Sequence, residues 1–245
     1  IIAVGGEIDI KQRTLNVELA AMKANPAIVT AVMKDPPEIK GETDMLVQLS
    51  GTFDNPEATA SLEIAKGSVA GVSIDKLTAL LALKDDHIQL QQLIAAKDVY
   101  GVTASGDIPL DIFRSQEQRK NPNAQMNIVV DLDNARLGIL PAMTKLVEWG
   151  VGETKGKIRV AGTLEEPLLY GSVKIADGSV KVKHLNTVLD AINLDVVFNG
   201  NMINLKNLST KLGKGLLKAE GSYALNTEIL RNEWGFQGAV VTDIA

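Results

Sequence analysis

Ile192, Leu194, Val196 and Phe198 alternate with Asn193, Asp195 and Val197, and Ile203 and Leu205 resume the alternation beyond Asn199-Gly200-Asn201. A period of two sends successive side chains to opposite faces of a strand. Asn-Gly supplies the positive φ that a tight hairpin turn needs. These positions therefore predict two antiparallel strands joined by a short turn. Leu62, Ile64, Val69, Leu81 and Leu83 carry a similar aliphatic pattern earlier in the chain, with Asp85-Asp86 as the corresponding turn. Asp177-Gly178 and Lys66-Gly67 read as further turns, each introducing a Ser-Val strand. Turn signals at roughly 8–12-residue spacing, with no helices between the strands, indicate an antiparallel meander and not βαβ units.

The pattern is written twice. Leu49–Leu110 opens LSGTFDNPEATASLEIAKGSV, and Val160–Leu225 opens VAGTLEEPLLYGSVKIADGSV. Gly51, Pro56, Ile64, Gly67, Ser68 and Val69 match Gly162, Pro167, Ile175, Gly178, Ser179 and Val180, a constant offset of 111. Upstream, Leu15-Asn16-Val17 matches Met126-Asn127-Ile128, and Gly41-Glu42-Thr43 matches Gly152-Glu153-Thr154. By Ile203 the offset has grown to 115, so the second copy carries about four extra residues before that point. Gly6-Glu7-Ile8 resembles Gly106-Asp107-Ile108, the close of the first copy, and Gly221 sits in the close of the second. Together with a first residue other than Met, this reads as a piece of a longer array. The expected organisation is residues 1–12 as the end of a preceding repeat, 13–113 as repeat 1, 114–125 as a linker loop, 126–225 as repeat 2, and 226–245 as a tail of different character.

Each repeat also holds one helical candidate. Leu140, Met143, Leu146 and Val147 form a helical stripe that Gly150 would stop. The first-copy equivalent is Ala27–Met33, between Pro26 and Pro36-Pro37. The linker, RSQEQRKNPNAQ, is polar and contains Asn-Pro, so its basic residues read as a solvated loop.

Composition narrows the function classes. Of 245 residues 45% are hydrophobic but only 4% aromatic, so the apolar content is aliphatic and suits half-buried strands. A net charge of −5 argues against a nucleic-acid partner. The absence of cysteine excludes disulfides and cysteine-held metals. His87 and His184 have no second His or Cys at ligand spacing, so no metal or cofactor is expected. Asp131-Leu132-Asp133-Asn134 lacks the Gly and distal Glu of a calcium loop; Asp133 or Asn134 reads better as a helix N-cap. No stretch reaches the roughly 18 apolar residues of a membrane-spanning helix.

An all-β meander with one aliphatic face can hide that face in a filled sandwich or leave it lining a half-open trough. The residues alone leave both open. The recurring phrase, however, resembles the TamB and AsmA-like proteins over about residues 1–225: hydrophobic-Gly-Thr-x-x-x-Pro, an alternating strand, Gly-Ser-Val, an alternating hairpin, then Gly-x-[Ile/Tyr]-x-Leu. That resemblance implies an elongated antiparallel β-taco, folded lengthwise around a hydrophobic groove. It further implies the periplasmic part of an inner-membrane-anchored protein of a two-membrane bacterium. The implied partners are phospholipid acyl chains carried between the membranes, an outer-membrane Omp85-class protein that shares in outer-membrane and autotransporter protein assembly, and further repeats of the same chain. Ile192, Leu194, Val196, Phe198, Ile203 and Leu205 are the groove candidates of the second copy. Leu62, Ile64, Val69, Leu81 and Leu83 are those of the first. No catalytic residue comes with the family.

The tail differs. ILRNEWGFQGAVVTD is similar to the nucleophile segment of glycoside hydrolase family 3, with Asn226–Trp234 as a short helix before a strand. The resemblance implies Asp243 as the nucleophile. A retaining glycosidase also needs a second carboxyl about 5 Å away and a barrel to hold the sugar. Neither precedes Asn226, so the chain is expected not to be an enzyme.

Overall fold

The computed structural model describes residues 1–27, 38–69, 71–98, 100–113, 119–121, 123–132, 135–140, 146–163, 166–183, 185 and 187–224. It is all-β and antiparallel, and divides into two compact units, Ile1–Val130 and Asp131–Ala245.

The first unit holds β1 (Ile2–Asp9), β2 (Thr14–Ala24), β3 (Ile39–Thr52), β4 (Pro56–Val69), β5 (Val72–Lys84), β6 (His87–Lys97) and β7 (Tyr100–Pro109), with β8 (Met126–Asp131) at its boundary. Their hydrogen-bonded order follows the chain order, and the first and last strands do not pair, so the sheet stays open. In the second unit β10 (Val147–Gly162), β11 (Pro167–Val182), β12 (Val188–Gly200), β13 (Met202–Leu212) and β14 (Gly215–Ala224) also follow chain order, and the short β9 (Ala135–Arg136) pairs with β10.

The two central hairpins form as the alternation predicts. Asp85 and Asp86 adopt φ of 51° and 60° between the paired residues Lys84 and His87. Gly200, at φ 68°, turns the chain between the paired Asn199 and Met202. Both are two-residue turns whose handedness matches the twist of the strands.

Pairing also reproduces the repeat. Thr43 faces Ile64, Leu49 faces Ala58 and Gly51 faces Pro56 in the β3–β4 pair. In the β10–β11 pair Thr154 faces Ile175, Val160 faces Leu169 and Gly162 faces Pro167, each residue 111 further along.

Two expectations are corrected. Lys66-Gly67 and Asp177-Gly178 are not turns. They lie inside β4 and β11, where Lys66 (φ 48°) and Asp177 (φ 47°) are left-handed residues next to shifts in register. A left-handed residue followed by Gly serves a bulge as well as a turn, and only the neighbouring strands decide which. Val147, placed at the end of a helical stripe, instead begins β10, and Gly150 lies within that strand and stops no helix. Strand pairing of Val147 with Val182 overrides the local periodicity. Leu137–Ile139 before it is a 3-10 turn. Met143, the first-copy candidate beyond Ala27, and the whole tail from Leu225 lie outside the described residues.

Carboxylates of the first unit hold the described end of the inter-copy segment. Asp111, in the 3-10 turn Leu110–Phe113, is 7% exposed, and its carboxylate accepts the backbone N–H groups of Lys120 (3.1 Å) and Asn121 (2.6 Å). Lys120 also reaches Asp86 through its ammonium at 2.7 Å. The basic residue at position 120 is thus an ion-pair partner at the end of the β5–β6 hairpin.

Candidate functional site

Residues paired directly across antiparallel strands point to the same face. Following the register from Ile64 therefore assembles one face of the first unit. Ile64 stands opposite Thr43 and Leu77, Leu62 opposite Met45 and Ala79, Ala60 opposite Val47 and Leu81, and Ala58 opposite Leu49 and Leu83. Leu83 continues to Ile88, Leu81 to Leu90, and Ala79 to Leu93. On the other side Leu49, Val47 and Met45 continue to Val17, Leu19 and Ala21. Across β2 to β6 this face carries no charged residue. Val69, beyond the left-handed Lys66, stands between Ile39 and Val72.

The second unit repeats the arrangement. Leu194 lies between Ile175 and Leu208, Val196 between Val173 and Leu205, and Phe198 between Gly171 and Ile203. Ile158 and Val160 extend the face into β10.

The opposite face is polar. Lys174 pairs with Asp195 at 3.0 Å, Lys76 with Glu63 at 2.8 Å, and Gln48 donates to Glu18 at 3.1 Å. These groups are largely exposed, so they mark the solvent side and add little stability. Glu38, fully exposed, is held below the usual carboxylate range by the hydrogen bond from Lys40 (2.8 Å) and by that residue's charge.

Burial picks out the same face in the first unit. Ala21, Thr43, Ile64, Ala79 and Leu90 are buried, at 1%, 0%, 1%, 4% and 8% exposure, and all five lie on the apolar face. Leu62, Leu81 and Leu83 remain half-buried, neither packed away nor fully solvated.

In the second unit one end of the face is filled. Leu137, Val180 and Ile192 form a buried cluster, and Leu140, Val147, Ile175, Leu189, Leu194 and Leu208 pack against it. Of the six second-copy groove candidates, Ile192 and Leu194 therefore belong to a side-chain-filled core. Val196 is 8% exposed, whereas Phe198, Ile203 and Leu205 stay half-buried. Sequence reasoning missed Met45, Val47, Leu49, Leu90, Ile158 and Val160, although strict alternation marks most of them as clearly as their neighbours.

Two buried polar residues lie on the face at equivalent positions of the repeat. Thr43 and Thr154 are buried, and the Oγ1 of each has no hydrogen-bond partner. Thr210, by contrast, is 2% exposed and donates its hydroxyl to the Asp190 carbonyl at 3.0 Å.

Among the described residues no cluster of three or more His, Asp or Glu side chains is arranged to hold a metal ion, and no helix is long and apolar enough to cross a membrane. His87 lies on the polar side, its Nδ1 2.5 Å from Asp107. His184 and Asp243 lie outside the described residues. Compared with known proteins, the chain matches no family model, no curated protein and no solved structure.

Proposed function

We propose that the chain is a lipid-handling part of a TamB/AsmA-like envelope protein, and that its apolar sheet face receives phospholipid acyl chains. The observation that carries the reading is the uncharged, half-buried aliphatic face spanning β2 to β6, with a second such face in β10 to β13. Aliphatic side chains left partly in water gain by covering themselves with hydrocarbon, at about 0.8 kcal/mol per buried methylene. Such a surface is indifferent to the exact length and unsaturation of the chain it takes. The role is binding and transfer, not catalysis, and its setting is the periplasm beside an Omp85-class partner.

Photo-crosslinking tests the reading. A photoreactive residue at Leu81, Phe198 or Ile203 should capture phospholipid from mixed phosphatidylethanolamine–phosphatidylglycerol vesicles, while one at Gln48 or Asp195 should not. Labelling confined to Gln48 and Asp195 would refute it.

A further inference from the structure

The apolar face of the second unit is closed at one end by a fitted side chain. Leu137 is buried with Val180 and Ile192, and three glycines make its seat. A Cβ on Gly178 would stand 2.7 Å from the Leu137 Cδ1, and one on Gly152 would stand 3.3 Å from it. A Cβ on Gly150 would stand 2.7 Å from the Leu137 carbonyl oxygen. The first repeat closes the same point with a different residue. Ala24 faces Thr43 as Ala135 faces Thr154, and buried Pro26 stands 111 positions before Leu137.

Burial then falls along both faces in the same direction. In the first unit Thr43 and Ile64 are the most deeply buried, Ala79 in the next row and Leu90 in the row after it less so. Leu49, Leu83 and Ile88 beyond them are half-buried. In the second unit Ile192 and Val196 are buried, while Phe198, Ile203 and Leu169, towards the Gly200 turn, are half-buried. At a strand rise of about 3.3 Å per residue, the stretch from Val196 to Gly200 is roughly 13 Å long. At its far end Asn199 and Asn201 are exposed.

We infer that Leu137 is a positioning residue for the lipid: it holds the closed end of the face, so that the terminal methyl of a bound acyl chain stops there. The inference rests on the lipid-binding reading above. The chain lies along Val196, Leu205, Phe198 and Ile203, and its ester and headgroup sit at the Asn199–Asn201 turn. The methyl end is the most apolar part of the ligand and gains most from the end already shut off from water. The ester and headgroup carry polar atoms that are costly to bury without partners, so they take the open end. A longer chain adds its extra carbons at the open end, which keeps the face tolerant of length while the methyl end holds its place.

The test uses the whole chain and phosphatidylcholine with a diazirine either beside the terminal methyl or beside the ester, in myristoyl and stearoyl forms. Mass spectrometry locates the labelled residues. The methyl-end probe should label Leu194 and Val196 with both chain lengths, and the ester-end probe should label residues from Phe198 to Ile203. In Leu137→Ala the methyl-end probe should move inward, raising the ratio of labelling at Ile192 to that at Val196 at least tenfold. Leu137→Met, which keeps the side-chain volume, should leave the ratio unchanged. If Leu137→Ala loses amide protection in Val188–Gly200 it has disturbed the strand itself, and the comparison of the two chain lengths then decides. Methyl-end labelling at the turn, labelling by the methyl-end probe that moves with chain length, or an unchanged ratio in a folded Leu137→Ala would each overturn the inference and leave lipid binding standing. Absence of labelling by either probe would overturn the lipid reading and the inference with it.

Discussion

One substitution, Thr→Val, should change stability with opposite sign at three buried threonines. Threonine and valine have nearly the same shape, both suit strands, and they differ by a hydroxyl against a methyl. At Thr43 (0% exposed) the hydroxyl has lost its water and gained no partner. An unsatisfied buried polar group costs about 1–3 kcal/mol, so Thr43→Val should stabilise the first unit by about 1–2 kcal/mol. Thr154, 5% exposed and also unpartnered, should behave alike in the second unit. Thr210 is the contrasting case, because its Oγ1 donates to the Asp190 carbonyl at 3.0 Å. Removing that bond should cost about 0.5–1.5 kcal/mol. Urea unfolding followed by far-ultraviolet circular dichroism reads the difference. With a slope of about 1–2 kcal/mol per molar urea for a unit of this size, the midpoint should rise by about 0.5–2 M for Thr43→Val and fall by about 0.3–1.5 M for Thr210→Val. A fall in the midpoint for Thr43→Val or Thr154→Val would refute the reasoning and mean that the hydroxyl is satisfied, for example by an internal water.

Other substitutions test the face and its supports. Ile64→Ala removes a side chain that is 1% exposed and should cost about 2–5 kcal/mol, whereas Leu46→Ala, 39% exposed on the opposite side, should stay within about 0.5 kcal/mol by the same urea measurement. Asp111→Ala leaves the amides of Lys120 and Asn121 without their acceptor and should speed their hydrogen exchange about tenfold or more; unchanged exchange would show that the carboxylate does not hold the segment. Gly106→Ala must be strained at φ 155° and drive a Cβ into β8, so it should cost well over about 1 kcal/mol and raise exchange at Met126–Val130. An exchange profile like that of the unaltered protein would show that Gly106 does not govern how β8 seats against β7.

The order of residues determined the strands of the central hairpins, their turns at Asp85-Asp86 and Gly200-Asn201, and the aliphatic side of each strand. These are local matters, since a period of two and a turn with a left-handed residue are decided by residues close in sequence. The repeat was legible for the same reason, and its pairing of Thr43 with Ile64 recurs as Thr154 with Ile175. Tertiary structure decided what depends on distant partners. Lys66-Gly67 and Asp177-Gly178 became bulges because neighbouring strands continue past them. Val147 became a strand residue because Val182 stands ready to pair with it. Ile192 and Leu194 have the same pattern as Phe198 and Ile203, yet they are filled in by Leu137 and Leu140, residues some fifty positions earlier in the chain. Alternation says which side of a strand is apolar; only the fold says whether another side chain already covers it.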